Sequence, residues 1–454
     1  MNKMKLYTII GAGLFALTST TLLACSEIED GSNDMSSWPE VKDYVTTLEH
    51  PCMLHTETDF EFVKGKVQAG AQPWKNAFDH LSRGGNSLSQ SNYKASPVKL
   101  LARLDQNNWA GKYPNDWNNY TKLMKDAAAA YQLALRWKLS ETDGAQYADA
   151  AVAILNDWAK TCTGFIVNDK GEFIDPNEFL IFIQVHQIAN AAEIMRSYSG
   201  WQEADFIKFK AWIADVFYPH ITKFLSTHNG NECALHYWLN WDLSAMTALL
   251  SIGILADDNF KINEAIQYFK FGIGSGNIGN GVPFIHLDPD SNEMLGQCQE
   301  SGRDQGHATL CVSLLGAFCQ MAKNVGEDLF IFDDGRALAM CEYVAKYNIG
   351  GAETGSSSAS WKMTGFRYTD NDLPYTTYSG SWDTISAQER REGKDSRGEV
   401  RPAWELVNRL AQDYGKSSIY AKMWVDKMRE NASRGNSDGG AGDYGPNSGG
   451  YDQL

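Results

Sequence analysis

The stretch Thr121-Lys-Leu-Met124-Lys-Asp126-Ala-Ala-Ala-Ala-Tyr131-Gln-Leu-Ala-Leu135-Arg-Trp-Lys-Leu139 decides the fold class. Met124, Ala128, Tyr131, Leu135 and Leu139 recur at three-to-four spacing, which puts them on one stripe of a helix. The same period returns over about Gln146 to Lys160, Glu178 to Ser199, Glu203 to Leu225, Leu243 to Ala256 and Ile262 to Gly272, separated by short breaks carrying Gly, Asp, Asn or Pro. Helices of this length on short connections are antiparallel neighbours. A series of them predicts an all-α chain, as a bundle, a solenoid or a toroid of helical hairpins, and the absence of a fixed-length repeat disfavours a regular solenoid.

The rhythm breaks over Ile273 to Ser301 and over Ile349 to Arg401, both rich in Gly, Ser, Asp and aromatics. Loops so long inside a compact domain carry function or hide short strands. Helices are expected between and beyond them at about Gly302 to Lys323, Gly335 to Asn348, Pro402 to Tyr414 and Ser418 to Asn431.

Both ends differ from this body. Lys3 and Lys5, the apolar and small-residue run Leu6 to Leu23 and the closing Leu22-Leu23-Ala24-Cys25 read as a lipoprotein signal peptide over 1–25, cut before a lipid-bearing Cys25. Residues 26–45 are then a flexible tether, 46–432 the folded domain and 433–454 a disordered tail of Gly, Asn, Ser and Asp. An outer-membrane lipoprotein facing the cell surface or the periplasm is the expected location.

The 454 residues are 43% hydrophobic and 12% aromatic, which excludes a disordered, collagen-like or coiled-coil chain. A net charge of −16 argues against a nucleic-acid partner bound by phosphate neutralisation. It leaves room for an anionic ligand held by a local cationic cleft. Beyond Cys25, the cysteines Cys52, Cys162, Cys233, Cys298, Cys311, Cys319 and Cys341 show no C-x-x-C spacing and so no zinc motif, and Cys311 and Cys319 read as core thiols. Asp288-Pro-Asp290-Ser-Asn292 alternates oxygen ligands like a calcium loop but has Glu293 where the sharp turn needs Gly, so no metal site is assigned. No cofactor is called for.

Chemistry concentrates in Gln299-Glu300-Ser301-Gly302-Arg303-Asp304-Gln305-Gly306-His307. Ser301 with Asp304 three residues on predicts an N-cap and capping box, and hence a helix from Gly302 with Arg303 and His307 one turn apart on one face. A helix N-terminus favours an anion and a neutral imidazole, and a neutral His beside Arg suits proton abstraction from an anionic substrate. The alternative is a capped helix whose Arg and His make structural bonds. The second rich segment, Asn231 to Asp242, holds His236, Asn240, Trp238 and Trp241, a mixture suited to a sugar subsite. Further aromatics, among them Trp109, Trp361, Tyr375 and Tyr378, lie in polar loops.

These strings, with His50-Pro51-Cys52-Met-Leu-His55, Asp126 to Tyr131, Tyr147 to Trp158 and Asn240-Trp241, resemble the alginate lyase superfamily of helical-toroid polysaccharide lyases, most closely the Bacteroides-type polysaccharide lyase family 38. The resemblance spans about Glu49 to Asn431. It implies an (α/α) toroid or incomplete barrel and β-elimination on a uronic-acid polymer, alginate or glucuronan. In that scheme Asn240 and Arg303 neutralise the C5 carboxylate, His307 is the base with His236 as alternative, and Tyr375 is the acid. His236, Trp241, Gln299, Glu300, Trp109, Tyr378 and Arg401 are the substrate contacts it suggests. Two other functions compete: a toroid glycoside hydrolase using two of Glu232, Glu300 and Asp304 as its carboxylate pair, and a non-catalytic surface glycan binder.

Overall fold

The computed structural model describes residues 41–140, 144–228, 237–354, 385–398, 401–432 and 435–436. A strap over residues 41–56 leads into α1 (Glu57–Gln68) and α2 (Trp74–Ser82). Strand β1 (Leu100–Leu101) precedes α3 (Tyr120–Leu139) and α4 (Ala145–Thr161), and β2 (Gly164–Phe165) returns parallel to β1. Next come α5 (Val185–Met195), α6 (Glu203–Thr227), α7 (Leu239–Ala256) and α8 (Asn259–Phe271). The first long irregular stretch hides an antiparallel hairpin, β3 (Phe284–Leu287) with β4 (Met294–Gln297). The chain ends in α9 (Gln305–Asn324), α10 (Phe332–Thr354), α11 (Trp404–Asp413) and α12 (Ile419–Arg429).

Neighbouring helices pack as hairpins, α3 on α4, α6 and α8 on α7, α9 on α10 and α11 on α12. The molecule is all-α, an (α/α) toroid. One element departs from the expected helix over Glu178 to Ser199. Its first turns, Pro176–Gln184, wind as a 3-10 helix set by an Asp175 capping box. Phe179, Ile181, Phe182 and Ile183 are all buried there, and at three residues per turn Phe179 and Phe182 eclipse on one line while Ile181 and Ile183 occupy the other two sides.

At the centre is α7, where every residue from Leu239 to Leu255 is buried. α5, α6, α8 and α9 all pack against it. Among the described residues it is the one helix long and apolar enough to cross a membrane, and here the other helices take the place of lipid. Complete burial obliges its polar side chains to find partners inside. Ser244, Thr247 and Ser251 turn back on backbone carbonyls of their own helix at 3.0, 2.6 and 2.8 Å. Asp242 accepts from Tyr268 Oη at 2.8 Å and Gly276 N at 2.8 Å, with His228 Nε2 at 2.9 Å. A Cβ on Gly274 would stand 2.4 Å from Asp242 Oδ2, so this cluster requires glycine on the facing loop.

The strap begins within the last residues of the expected tether, 26–45. Order begins before residue 46, because Tyr44 N and Val45 N both donate to Asn263 Oδ1, at 3.2 and 2.8 Å, and Val45 is 3% exposed. Farther along, Leu54 N donates to Asn190 Oδ1 at 2.9 Å and Asn324 Nδ2 to Met53 O at 2.6 Å. At the other end the expected tail is docked at its start: Asn76 Nδ2 donates to Asn436 Oδ1 at 2.8 Å. The leader with Cys25, the rest of the tether and the tail beyond Asn436 lie outside the described residues.

The oxygen-rich turn of the β3–β4 hairpin already holds a cation of the chain's own. Lys346 Nζ pairs with Asp288 and, at 2.8 Å, with Asp290 Oδ2, and it holds the Asp288 carboxyl well below the usual range even though burial pushes the other way. The cysteines Cys52, Cys162, Cys298, Cys311, Cys319 and Cys341 are buried and in the thiol form.

His50 latches the strap to the toroid. Its Nδ1 lies 2.5 Å from Glu193 Oε1 and its Nε2 2.7 Å from Asp257 Oδ1, while Arg196 and Lys210 pair with the same two carboxylates. Burial pulls the imidazole down, but the bonds and charge of Glu193, joined by Asp257, outweigh it and the opposing Arg196, so the His50 pKa is raised. This stabilisation is therefore full below the unfolded value of about 6.5 and is lost as pH rises through the higher folded value. His50→Gln is expected to lower the unfolding free energy by about 2 kcal/mol near pH 5.5 and by clearly less near pH 8.5. Urea titrations at the two pH values check this, and equal losses would exclude an imidazolium latch.

Candidate active site

The segment Cys298 to His307 folds differently from its expected helix. Gln299–Gly302 forms one 3-10 turn, and α9 begins only at Gln305. Asp304, not Ser301, is the N-cap, its Oδ1 accepting from His307 N at 2.7 Å. Ser301 is committed elsewhere: its carbonyl accepts from Ser386 N at 2.8 Å, and its buried Oγ has no partner among the described residues. Arg303 thus sits just before the helix and His307 in its first turn. Both still line one cleft of about 450 Å³, together with Leu310, Lys394 and Arg401.

The helix tip is not free for an outside anion. Gln305 N donates to Glu389 Oε2 at 3.4 Å, Gly306 N to Ser396 Oγ at 2.9 Å and His307 N to Asp304. The carboxylates the dipole favours come from the chain itself, Glu389 from the segment 385–398 that packs over the tip. Any substrate anion must be met by side chains instead.

Two such side chains are fixed by their surroundings. The Arg303 guanidinium places Nη1 3.4 Å from Glu300 Oε2, Nε 3.6 Å from Asp304 Oδ2 and its carbon 4.3 Å over the Trp238 ring. His307 Nδ1 lies 2.7 Å from Asp304 Oδ2, and the side chain is 35% exposed to the cleft. Burial pushes the Asp304 carboxyl up, but the hydrogen bonds and charge of His307, with Arg303, outweigh it and hold the group below the ordinary carboxylate value. In the tautomer that carries its proton on Nδ1 the ring donates to Asp304, and the Nε2 lone pair is then left for a ligand in the cleft. A carboxylate, not the bare dipole, therefore orients this ring.

Asn240 lies inside the first turn of α7 rather than ahead of the helix, and is 1% exposed. Its Nδ2 donates to Glu300 Oε1 at 2.5 Å and its backbone N to the same oxygen at 3.3 Å. Asn240 and Arg303 thus meet through the two oxygens of one buried carboxylate, but only Arg303 lines the cleft. Gln299 is buried, accepting from Leu239 N at 2.7 Å and donating to Tyr237 O at 2.8 Å. Trp241 packs on Tyr237 and Phe224 in the core. Trp109 joins Tyr113 and Trp117 over a small separate cluster and is not among the cleft residues. Arg401 is in the cleft, with Nε donating to Thr309 Oγ1 at 3.2 Å. His236, Tyr375 and Tyr378, with Glu232 and Trp361, lie outside the described residues.

Reasoning from sequence missed Lys394, Glu389 and Ser396, and read Trp238 as a sugar contact where the structure lays it over the Arg303 guanidinium. Glu389 and Ser396 carry no local signal, since their partners are 84 and 90 positions away. Among the described residues one group, His50, Cys52 and Glu193, gathers possible metal ligands. Its atoms are already joined by hydrogen bonds, Cys52 N and His50 Nδ1 both on Glu193 Oε1, and burial pushes the Cys52 thiol up to about 12. A strap contact accounts for the group.

The alginate lyase family model matches residues 79–354, more than half of the chain. Solved structures with a similar trace include an alginate lyase from Bacteroides ovatus, 14% identical over 65% of this chain and 83% of that one with a TM-score of 0.43. Alginate lyase A1-III from Sphingomonas species A1 is 15% identical over 75% and 88%, also at 0.43. No curated protein matches.

Glu389→Ala strips the acceptor from Gln305 N and Ser396 N and is expected to cost about 1–3 kcal/mol of unfolding free energy. Glu389→Gln, which keeps one carbonyl oxygen, should lose less. Chemical denaturation of the three proteins checks the order, and a loss under about 0.5 kcal/mol for the alanine variant would mean that this carboxylate does not tie the segment to the tip.

Proposed function

The chain belongs to the alginate lyase family and is a polysaccharide lyase; from that premise we propose that the Arg303 and His307 cleft cleaves an alginate-type polyuronate by β-elimination. The observation that carries this is the Asp304 to His307 contact of 2.7 Å beside the Arg303 guanidinium in one cleft. A uronate C5 proton next to an ionised carboxylate is very weakly acidic, so the first requirement is a cation on that carboxylate. Arg303 supplies it, and its charge stabilises the enolate-like transition state. His307 Nε2, left basic because Asp304 holds Nδ1, removes the C5 proton. The C5–H electron pair forms the C4=C5 double bond, the C4–O4 bond breaks, and O4 takes a proton from an acid. Tyr375 is our candidate acid, and His236 the alternative base.

Arg401 and Lys394, the latter paired with Glu392 at 2.8 Å, line the same cleft beside the acidic Asp304 and Glu389, so the positive charge offered to a uronate is local to the arginines and not a property of the whole cleft. Of the carboxylates a hydrolase would need, Glu300 is fully buried and Asp304, which lines the cleft, is engaged by His307, while Glu232 lies outside the described residues. We further assign the chain to the Bacteroides-type branch and to the outer membrane, anchored through Cys25. Labelled palmitate should be incorporated by the wild type and not by Cys25→Ser, and equal labelling would remove the anchor.

Incubation with polymannuronate, polyguluronate and glucuronan should raise ultraviolet absorbance of a conjugated enoate in step with new reducing ends. Reducing ends without absorbance would indicate a hydrolase, and binding without either a glycan-binding protein. Arg303→Ala is expected to lower kcat/KM by about 10²-fold or more, and near-normal turnover would take Arg303 out of the scheme.

A further inference from the structure

We infer that Glu300 is a positioning residue: its buried carboxylate is shared between Asn240 and Arg303, and so fixes the guanidinium that receives the substrate acid. This rests on Arg303 binding a uronate carboxylate, as proposed above. Glu300 is 0% exposed and does not line the cleft, so it meets no sugar itself. Oε1 accepts from Asn240 Nδ2 at 2.5 Å and Asn240 N at 3.3 Å, and Oε2 faces Arg303 Nη1 at 3.4 Å.

These three contacts on Glu300 all come from donors. Only an ionised carboxylate accepts on both oxygens, whereas an amide of the same shape would turn its NH₂ toward either Asn240 or Arg303. The site therefore demands a charge at this position as well as a volume. The Trp238 face 4.3 Å away closes another side of the guanidinium, leaving its aim defined by Glu300, Asp304 and the indole. Asn240 belongs to this arrangement as the fixed end: it is carried by the fully buried α7 and, among the described residues, meets the cleft arginine through Glu300. A guanidinium oriented before substrate arrives needs no reorganisation as charge develops at C5.

The test is a double-mutant cycle on kcat/KM with a polyuronate, with circular dichroism and thermal unfolding to confirm the fold of each variant. Glu300→Gln should lower kcat/KM by roughly 10- to 10²-fold in the wild-type background and by less than about 3-fold in Arg303→Ala, because the group it positions is then gone. Asn240→Ala should behave the same way and serves as the second arm if Glu300→Gln does not fold. Losses of equal factor in both backgrounds, or no loss in the wild type, would overturn the positioning role. If Arg303→Ala alone keeps full activity, the carboxylate-binding role of Arg303 fails and this inference fails with it; additive losses beside an inactive Arg303→Ala overturn Glu300 alone.

Discussion

Total burial of α7 is the constraint from which the rest of the molecule follows. A helix packed on all sides has no solvent-facing stripe to which its polar residues can be consigned, so each needs a partner within the protein. Serines and threonines solve this locally, on their own backbone. Asn240 and Asp242 have no such local solution and reach to other elements: Asp242 to His228, Tyr268 and the Gly276 amide, Asn240 to Glu300. The central core helix and the cleft are coupled through that last bond.

The other end of the coupling is electrostatic. The N-terminus of α9 is the obvious place to hold an anion, yet Asp304, Ser396 and Glu389 satisfy its amides. In the proposed scheme positive charge for a substrate is consequently delivered by Arg303, whose orientation is set by neighbouring carboxylates and an indole. This arrangement separates two tasks that a bare helix tip would combine. The chain's own carboxylates stabilise the helix, while Arg303, Lys394 and Arg401 remain at the cleft.

Much of the fold was legible because helical periodicity is a local property. Tyr120–Leu139, Ala145–Thr161 and Glu203–Thr227 fall within two residues of the limits read from apolar spacing. Boundaries failed where tertiary contacts overrode local chemistry. Ser301 has the residue type and spacing of a cap, but its carbonyl is taken by Ser386, from a segment more than eighty residues on, and the cap moves to Asp304. Leu239 to Asp242, expected to precede a helix, became its first turn because burial among α5, α6 and α9 favours backbone groups paired with each other. Tyr44 and Val45, which composition alone assigned to a tether, are held by Asn263 of α8.

By itself the sequence determined the class of the molecule, a chain of antiparallel helices, and the two short strings in which acid, amide, guanidinium and imidazole are concentrated. These depend on spacing within a few residues, which the chain carries wherever it goes. Tertiary structure alone decided which of those groups face the cleft and which stand behind it. Whether Asn240 touches a ligand or Glu300 depends on a carboxylate sixty positions distant, and whether an amide is free depends on what folds over it. Such pairings are set by the cost of leaving a polar group buried without a partner, and that cost exists only once the helices have closed around it.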